Sequence, residues 1–178
     1  MADIICPQNQ EFFDYWNSIH PVETLPKLSS FRPEAVPKLL PAFTIYELVS
    51  PDCILIRKGG TAIRQRGNYE EKGSNYLDLV APERREKAAG AFFALYDQPC
   101  GMRVIMRHTL MTGAYVTFEG LGLPFINDKG GKPIIYFTNH EIKNPDQYVP
   151  ASKKALEGMV LMQRDFIDIG FGVSDYKY

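Results

Sequence analysis

The side chains best suited to chemistry in this sequence are scattered, and their spacing decides what each can do. His108 lies in the alternating run 102–111, on the same side as Met102, Val104, Met106 and Leu110. A histidine on an otherwise apolar strand face can ligate a haem iron or hydrogen-bond a bound molecule. A core histidine bonded to a backbone carbonyl or to water is the commoner arrangement, so haem through His108 is the rarer reading. His140 shares a strand face with Tyr136 and Thr138, and His20 stands before Pro21 at a helix end. The three histidines are far apart, and neither cysteine nor carboxylate completes a set with metal-ligand spacing, so no metal site is expected. Arg57 and Arg66 flank the 59–61 step, where they either hold an anionic ligand group or face water. Cys6, Cys53 and Cys100 are odd in number and include no CxxC pair, which points to reducing surroundings.

Catalysis finds little support. The sequence contains no GxSxG, P-loop or HExxH motif and no GxGxxG after a strand. Isolated acids such as Asp78, Glu119 and Glu141 occur in any globular chain, so no catalytic residue is assigned. A small α+β enzyme of isomerase- or hydrolase-like shape stays as an alternative, and it requires a buried carboxylate or histidine with a perturbed pKa inside a pocket. The 178 residues, 45% hydrophobic, suffice for one domain with a substantial core. A net charge of -1, with Arg84–Arg85 flanked by Glu83 and Glu86, leads to the expectation of no nucleic-acid partner. The start MADIICPQNQEFF has no basic region followed by an apolar stretch, and no run approaches the ~20 apolar residues of a membrane span. A cytoplasmic protein with no membrane partner is therefore expected.

The elements that must position these groups follow from periodicity. Phe12, Phe13, Trp16 and Ile19 recur at three- and four-residue steps, a helix that opens at Asn9 or Gln10 and that Pro21 stops. Pro33 suits the first turn of a short helix ended by Pro41. Strands over 43–49 and 53–57 flank the turn Ser50-Pro51-Asp52. Glycines then interrupt short helical pieces such as 61–66, before a firmer helix over 82–96. Strands over 102–111, 114–126 and 133–142 follow, the first two joined at Thr112-Gly113 and the last two at Asn127-Asp128-Lys129-Gly130-Gly131. A final helix from Ser152 to about Ile169 carries Ala155, Met159, Met162 and Phe166 on one stripe. Runs of strands broken by a helical block give an α+β domain with an antiparallel sheet of five strands, the helical block after strand two, and N- and C-terminal helices.

That order resembles a family of bacterial single-domain PAS proteins. The resemblance rests on Trp16, Leu25-Pro26, Phe31-Arg32-Pro33 and Leu39-Leu40-Pro41, then Ile54-Leu55-Ile56-Arg57 with Gly60-Thr61. Gly73 before Tyr76-Leu77-Asp78-Leu79, Leu123-Pro124 and the 128–131 turn continue it, so that it covers roughly 16–142. The chain departs from it with Lys27-Leu28 after the first Leu-Pro and Arg32 before the second proline, which removes an expected Asp cap. The resemblance implies an N-terminal helical cap over 1–41, a PAS core over 42–143 and a C-terminal helix and tail over 144–178. It also implies a stand-alone sensory or regulatory domain that binds a small ligand or a protein partner and carries no output segment of its own. Flavin is disfavoured, because nothing here matches the Asn-Cys-Arg-Phe-Leu-Gln-type motif of flavin-binding PAS relatives.

Under that resemblance the ligand lies between the sheet and the helical block. The expected wall is Met106, His108, Leu110, Phe118 and Tyr136, with Arg57 as a charged neighbour. Methionine and aromatic rings make an adaptable lining. The apolar stripe of Phe12, Phe13 and Trp16 is expected to meet a partner or a second copy, or else to fold back on its own domain. A ligand-free interaction module is the further alternative.

Overall fold

The computed structural model describes residues 3–67, 72–109, 115–142 and 159–177. Helix α1, Pro7–Ile19, has proline at its first turn and ends ahead of Pro21. The chain then runs through 3-10 turns at Leu28–Ser30, Pro33–Ala35 and Leu40–Ala42. The single short helix expected from Pro33 is thus two separate turns, and Arg32 gives the first of them no side-chain cap. Strands β1, Phe43–Ser50, and β2, Cys53–Gly59, form the first hairpin. The helical block follows, with α2, Thr61–Gly67, turns at Tyr76–Leu79 and Pro82–Arg84, and α3, Arg85–Asp97. Strands β3, Gly101–Thr109, β4, Tyr115–Phe125, β5, Ile134–Glu141, and β6, Met159–Ile167, complete the fold.

All the strands lie in one antiparallel sheet of order β2-β1-β5-β4-β3-β6. The sheet has six strands rather than five, and the sixth replaces the expected C-terminal helix from Met159 onward; 152–158 lie outside the described residues. The run Met159–Ile167 is apolar enough for either period. The β3 edge decides between them, since its backbone N–H and C=O groups need partners and β6 supplies them from Gly101↔Ile167 to His108↔Met159. A bulge at Ile105/Met106 keeps Leu161 and Phe166 on one face despite their odd spacing.

Both faces of the sheet are covered. The inner face carries Tyr46, Ile54, Ile56, Met102, Val104, Ile135 and Phe137 and packs on Ala88, Ala91, Phe92 and Leu95 of α3. The outer face carries Phe43, Leu121, Leu123, Phe125, Ile134 and Tyr136 and packs on Phe12 and Trp16 of α1. Trp16 is fully buried, and its indole N–H donates to the Pro124 carbonyl at 3.1 Å. Gly120 and Gly122 are glycine because Phe137 lies over them. A Cβ on Gly122 would stand 2.6 Å from the Phe137 ring, and one on Gly120 2.8 Å from Val104 Cγ2. Gly130 and Gly131, at φ 80° and 128°, turn the chain between β4 and β5.

Candidate functional site

The most concentrated chemistry lies on the outer face, where alternation puts Arg103 and Glu119 beneath α1. Strand pairing brings them together from two neighbouring strands. Glu119 is completely buried and Arg103 is 4% exposed. Arg103 Nε donates to Glu119 Oε1 at 2.6 Å, and Nη1 to Asp165 Oδ2 of β6 at 2.9 Å. The other donors to Glu119 come from the start of α1: the backbone N–H of Ile5 at 2.8 Å and of Cys6 at 2.6 Å, and Asn9 Nδ2 at 3.1 Å. Asn9 also donates to the Glu119 carbonyl at 3.0 Å and accepts from Thr138 of β5 at 2.7 Å. Two amide groups that no helical bond could satisfy thus end on a carboxylate, with the positive end of the helix dipole facing it. The cluster ties α1 to β3, β4, β5 and β6.

Burial by itself raises the Glu119 pKa, but the N–H groups of Ile5 and Cys6, then Arg103 and Asn9, outweigh it and hold the carboxyl below its usual range. Burial and the Glu119 charge push the neighbouring Cys6 thiol up to about 12. A carboxylate fixed in its ionised form by four donors does not serve as a proton shuttle near neutral pH. The cluster is therefore a structural clamp with a stored charge pair, and it speaks against the enzyme alternative at this face. The sequence alone shows Arg103 only as one position of the alternating run 102–111 and Glu119 only as an isolated acid. The available signal was that both fall on that face of adjacent strands, with Asn9 three residues ahead of Phe12 on the α1 stripe.

The inner face carries the expected ligand wall only in part. Met106 pairs with Phe118, so the two share the inner face, and Met106 packs against the cluster that α3 joins. Tyr136 does not join them: it pairs with Leu123 and lies on the outer face, packed at 4.6 Å from the Phe31 ring. Residues directly opposite on neighbouring strands share a face, and the β4–β5 register assigns Tyr136 to the α1 side. Arg57 is also displaced from the expected wall. It sits on β2, at the far edge of the sheet from β6, and its guanidinium pairs with Glu47. The backbone of His108 lies in β3, its side chain is outside the described residues, and so is all of Leu110.

Four rings fill the half of the inner face nearest β1: Tyr46 lies 5.3 Å from Tyr76 and 5.1 Å from Phe92, and Phe137 lies 6.1 Å from Phe92. Toward β6 the lining changes. Arg164, Val104, Gly120 and Asn139 stand opposite one another in a single row across β6, β3, β4 and β5. Arg164 and Asn139 are half-buried polar groups on an apolar face. Burial raises the Tyr76 hydroxyl pKa, and the nearby Arg164 charge acts against that rise. The helix expected over 152–169 gives Arg164 no place on the sheet, so the sequence alone assigns it no role.

Phe12 and Trp16 are fully buried against the domain's own sheet, and Phe13 is half-buried. The stripe therefore folds back, and the partner surface drawn on it is taken by Phe43, Leu123 and Phe125. A hollow of about 590 Å³ lies outside α3, among Asp52, Asn75, Glu86, Phe93 and Tyr176. A smaller one of about 110 Å³ lies on the outer face by Phe31, Lys58 and Tyr136. Neither takes a side chain from β3 or β4. Among the described residues no group of three or more His, Cys, Asp or Glu could hold a metal ion, and no helix is long and apolar enough to cross a membrane.

Comparison with known proteins adds the following. The family model described as PAS domain matches residues 5–136. No curated protein matches the sequence. Similar solved structures include the Vibrio cholerae VqmA dimer, at 13% identity over 62% of this chain and 52% of that one, with a TM-score of 0.45. The Rhodobacter sphaeroides LOV protein is similar at 11% identity over 77% and 70%, with a TM-score of 0.44. An RNA-binding light-oxygen-voltage receptor is similar at 20% identity over 68% and 37%, with a TM-score of 0.42. The chain thus spans about half the length of VqmA. The expectation of no nucleic-acid partner is withdrawn beside these findings: one of these structures is an RNA-binding receptor, and the VqmA dimer is described in the absence of its target DNA. Charge summed over a whole chain does not measure any one of its faces, and it cannot exclude such a partner.

Proposed function

This chain belongs to the PAS domain family, and we propose that it is a sensory module that takes a small ligand on the inner sheet face and reports it through the seating of α1. The ligand site of this reading is the β6-ward half of that face, with Met106, Phe118, Arg164 and Asn139 as its wall. A few polar groups on an apolar surface are what fix the orientation of a small molecule.

One observation carries the reading. The groups that clamp α1 alternate along β3 and β4 with the groups of the inner wall: Arg103 stands beside Val104, and Glu119 lies between Phe118 and Gly120. A displacement of either strand by something bound inside moves the clamp outside, with no intermediary beyond one residue of backbone. A ligand changes the equilibrium between seated and released α1 only by binding one state better than the other.

Native mass spectrometry of the full chain purified from two unrelated hosts tests the ligand part. A non-covalent adduct is expected, lost by Arg164→Ala and by Phe118→Trp while each variant keeps the melting behaviour of the parent. The bare-chain mass from both hosts, or an adduct that survives both substitutions, overturns it.

A further inference from the structure

Beyond that reading, we infer that residues 168–176 form a detachable strap that couples α1 on the outer face to α3 on the inner face, with Gly90 as its latch. The strap begins where β6 ends. Asp168 accepts from the N–H groups of Gly170 at 2.8 Å and Gly172 at 2.9 Å, and both glycines have positive φ, so the chain turns sharply away from the sheet. Ile169 enters the outer cluster. Phe171 meets the His20 ring edge-on, with centroids 5.6 Å apart, and His20 stacks on Trp16 at 4.4 Å. At this end the strap touches His20, the residue that follows α1 and stacks on its Trp16.

The other end touches α3. Gln98, which follows α3, donates from its side chain to the Phe171 carbonyl. Tyr176 then lies along the solvent side of the helix, its hydroxyl donating to the Lys87 carbonyl at 3.3 Å. Its ring occupies the space that a side chain at position 90 would need. A Cβ on Gly90 would stand 2.6 Å from Cζ and 2.7 Å from Cε2 of Tyr176. Glycine weakens a helix interior, yet Gly90 sits mid-way along α3 between Ala89 and Ala91. The seat for Tyr176 accounts for it: the helix gives up intrinsic stability for a notch that only the tail uses.

The coupling follows from the path. The segment is nine residues long and is fixed at both ends, to α1 through Phe171 and to α3 through Tyr176. Movement of one helix relative to the other must break one contact or carry the strap along. Ile169 anchors the strap in the outer cluster, whereas the stretch from Gly170 to Tyr176 is half-buried or exposed, which places that stretch at the easily opened end of the molecule's stability range.

The test uses the full chain and the one tryptophan it contains, Trp16, as a reporter remote from the substitution. Gly90→Ala is expected to expel the Tyr176 ring, to speed hydrogen exchange of amides 171–176 about tenfold, and to shift the Trp16 emission as His20 and Phe171 part. Tyr176→Ala is expected to give the same two changes by removing the ring instead of its seat. Lys87→Ala, which leaves the accepting carbonyl in place, is expected to give neither. Faster tail exchange with unchanged Trp16 emission overturns the coupling. Unchanged exchange in both variants overturns the latch, and an equal response to Lys87→Ala reduces it to a general weakening of α3. None of these readouts needs a bound ligand, so they stand whether or not the inner-face site is occupied.

Discussion

Replacing Arg103 by methionine tests the clamp most directly. Methionine keeps the length and apolar stem of arginine but leaves the fully buried Glu119 without a counter-charge. Removing one member of a buried ion pair costs about 3–5 kcal/mol. Glu119 retains its bonds from Ile5, Cys6 and Asn9, which places the loss toward the lower end. Asp165 is 28% exposed and contributes as a surface partner, about 0–1 kcal/mol. For a domain of this size each kcal/mol moves the midpoint by about 2–4 °C, so a drop of about 6–12 °C is expected. Urea titration followed by Trp16 emission measures the loss at 25 °C. The sign of the pH dependence is fixed as well. The folded pKa of Glu119 lies below the ordinary 4.5, so its contribution is present above that value and is lost as pH falls through the folded pKa. Without Arg103 the acid limb moves to higher pH. In the Arg103→Met/Glu119→Gln double variant the two losses are expected to overlap by more than about 1.5 kcal/mol. A loss below about 1 kcal/mol, as for an exposed pair, or strict additivity in the double variant would refute the reasoning.

Four further outcomes follow from the same geometry. Cys6, with its thiol pushed from 9.0 to about 12, is expected to carry roughly a thousandfold less thiolate than an unperturbed cysteine; alkylation at pH 8 followed by mass spectrometry checks this, with Cys53 the first to react. His20 has its pKa lowered from 6.5 by burial, so the folded state favours the neutral ring; the stability it contributes is complete above 6.5 and declines as pH falls below it, and His20→Gln is expected to flatten that limb in denaturation measured between pH 5 and 8. Gly60→Ala is expected to cost about 1–3 kcal/mol, because its Cβ would collide with the backbone carbonyls of Leu40 and Pro41; Gly73→Ala meets no neighbour and instead strains a φ of 86°, costing about 1–2 kcal/mol in thermal melts.

The local elements are legible in the residues that form them. Pro21 ends α1, Pro51-Asp52 turns the first hairpin, and the 127–131 turn with its positive-φ glycines joins β4 to β5. The alternation of Met102, Val104 and Met106 against Arg103, Ile105 and Arg107 put β3 in the right state, and the element order led to the right family. These features depend on residues within a few positions of one another, through turn chemistry and side-chain period. Register and edge pairing were decided by the tertiary structure alone. The run 159–167 fits a helical stripe as well as a strand, and only the open edge of β3 selects the strand. Tyr136 has the character of a pocket residue, and only its pairing with Leu123 turns it toward α1. Arg103 and Glu119 look like ordinary polar positions until β3, β4 and the first turn of α1 converge and remove water from around them. Gly90 is one glycine among fourteen until Tyr176, far along the chain, is laid across it. In each case the deciding partner lies at long range, and neither periodicity nor propensity carries information across that separation.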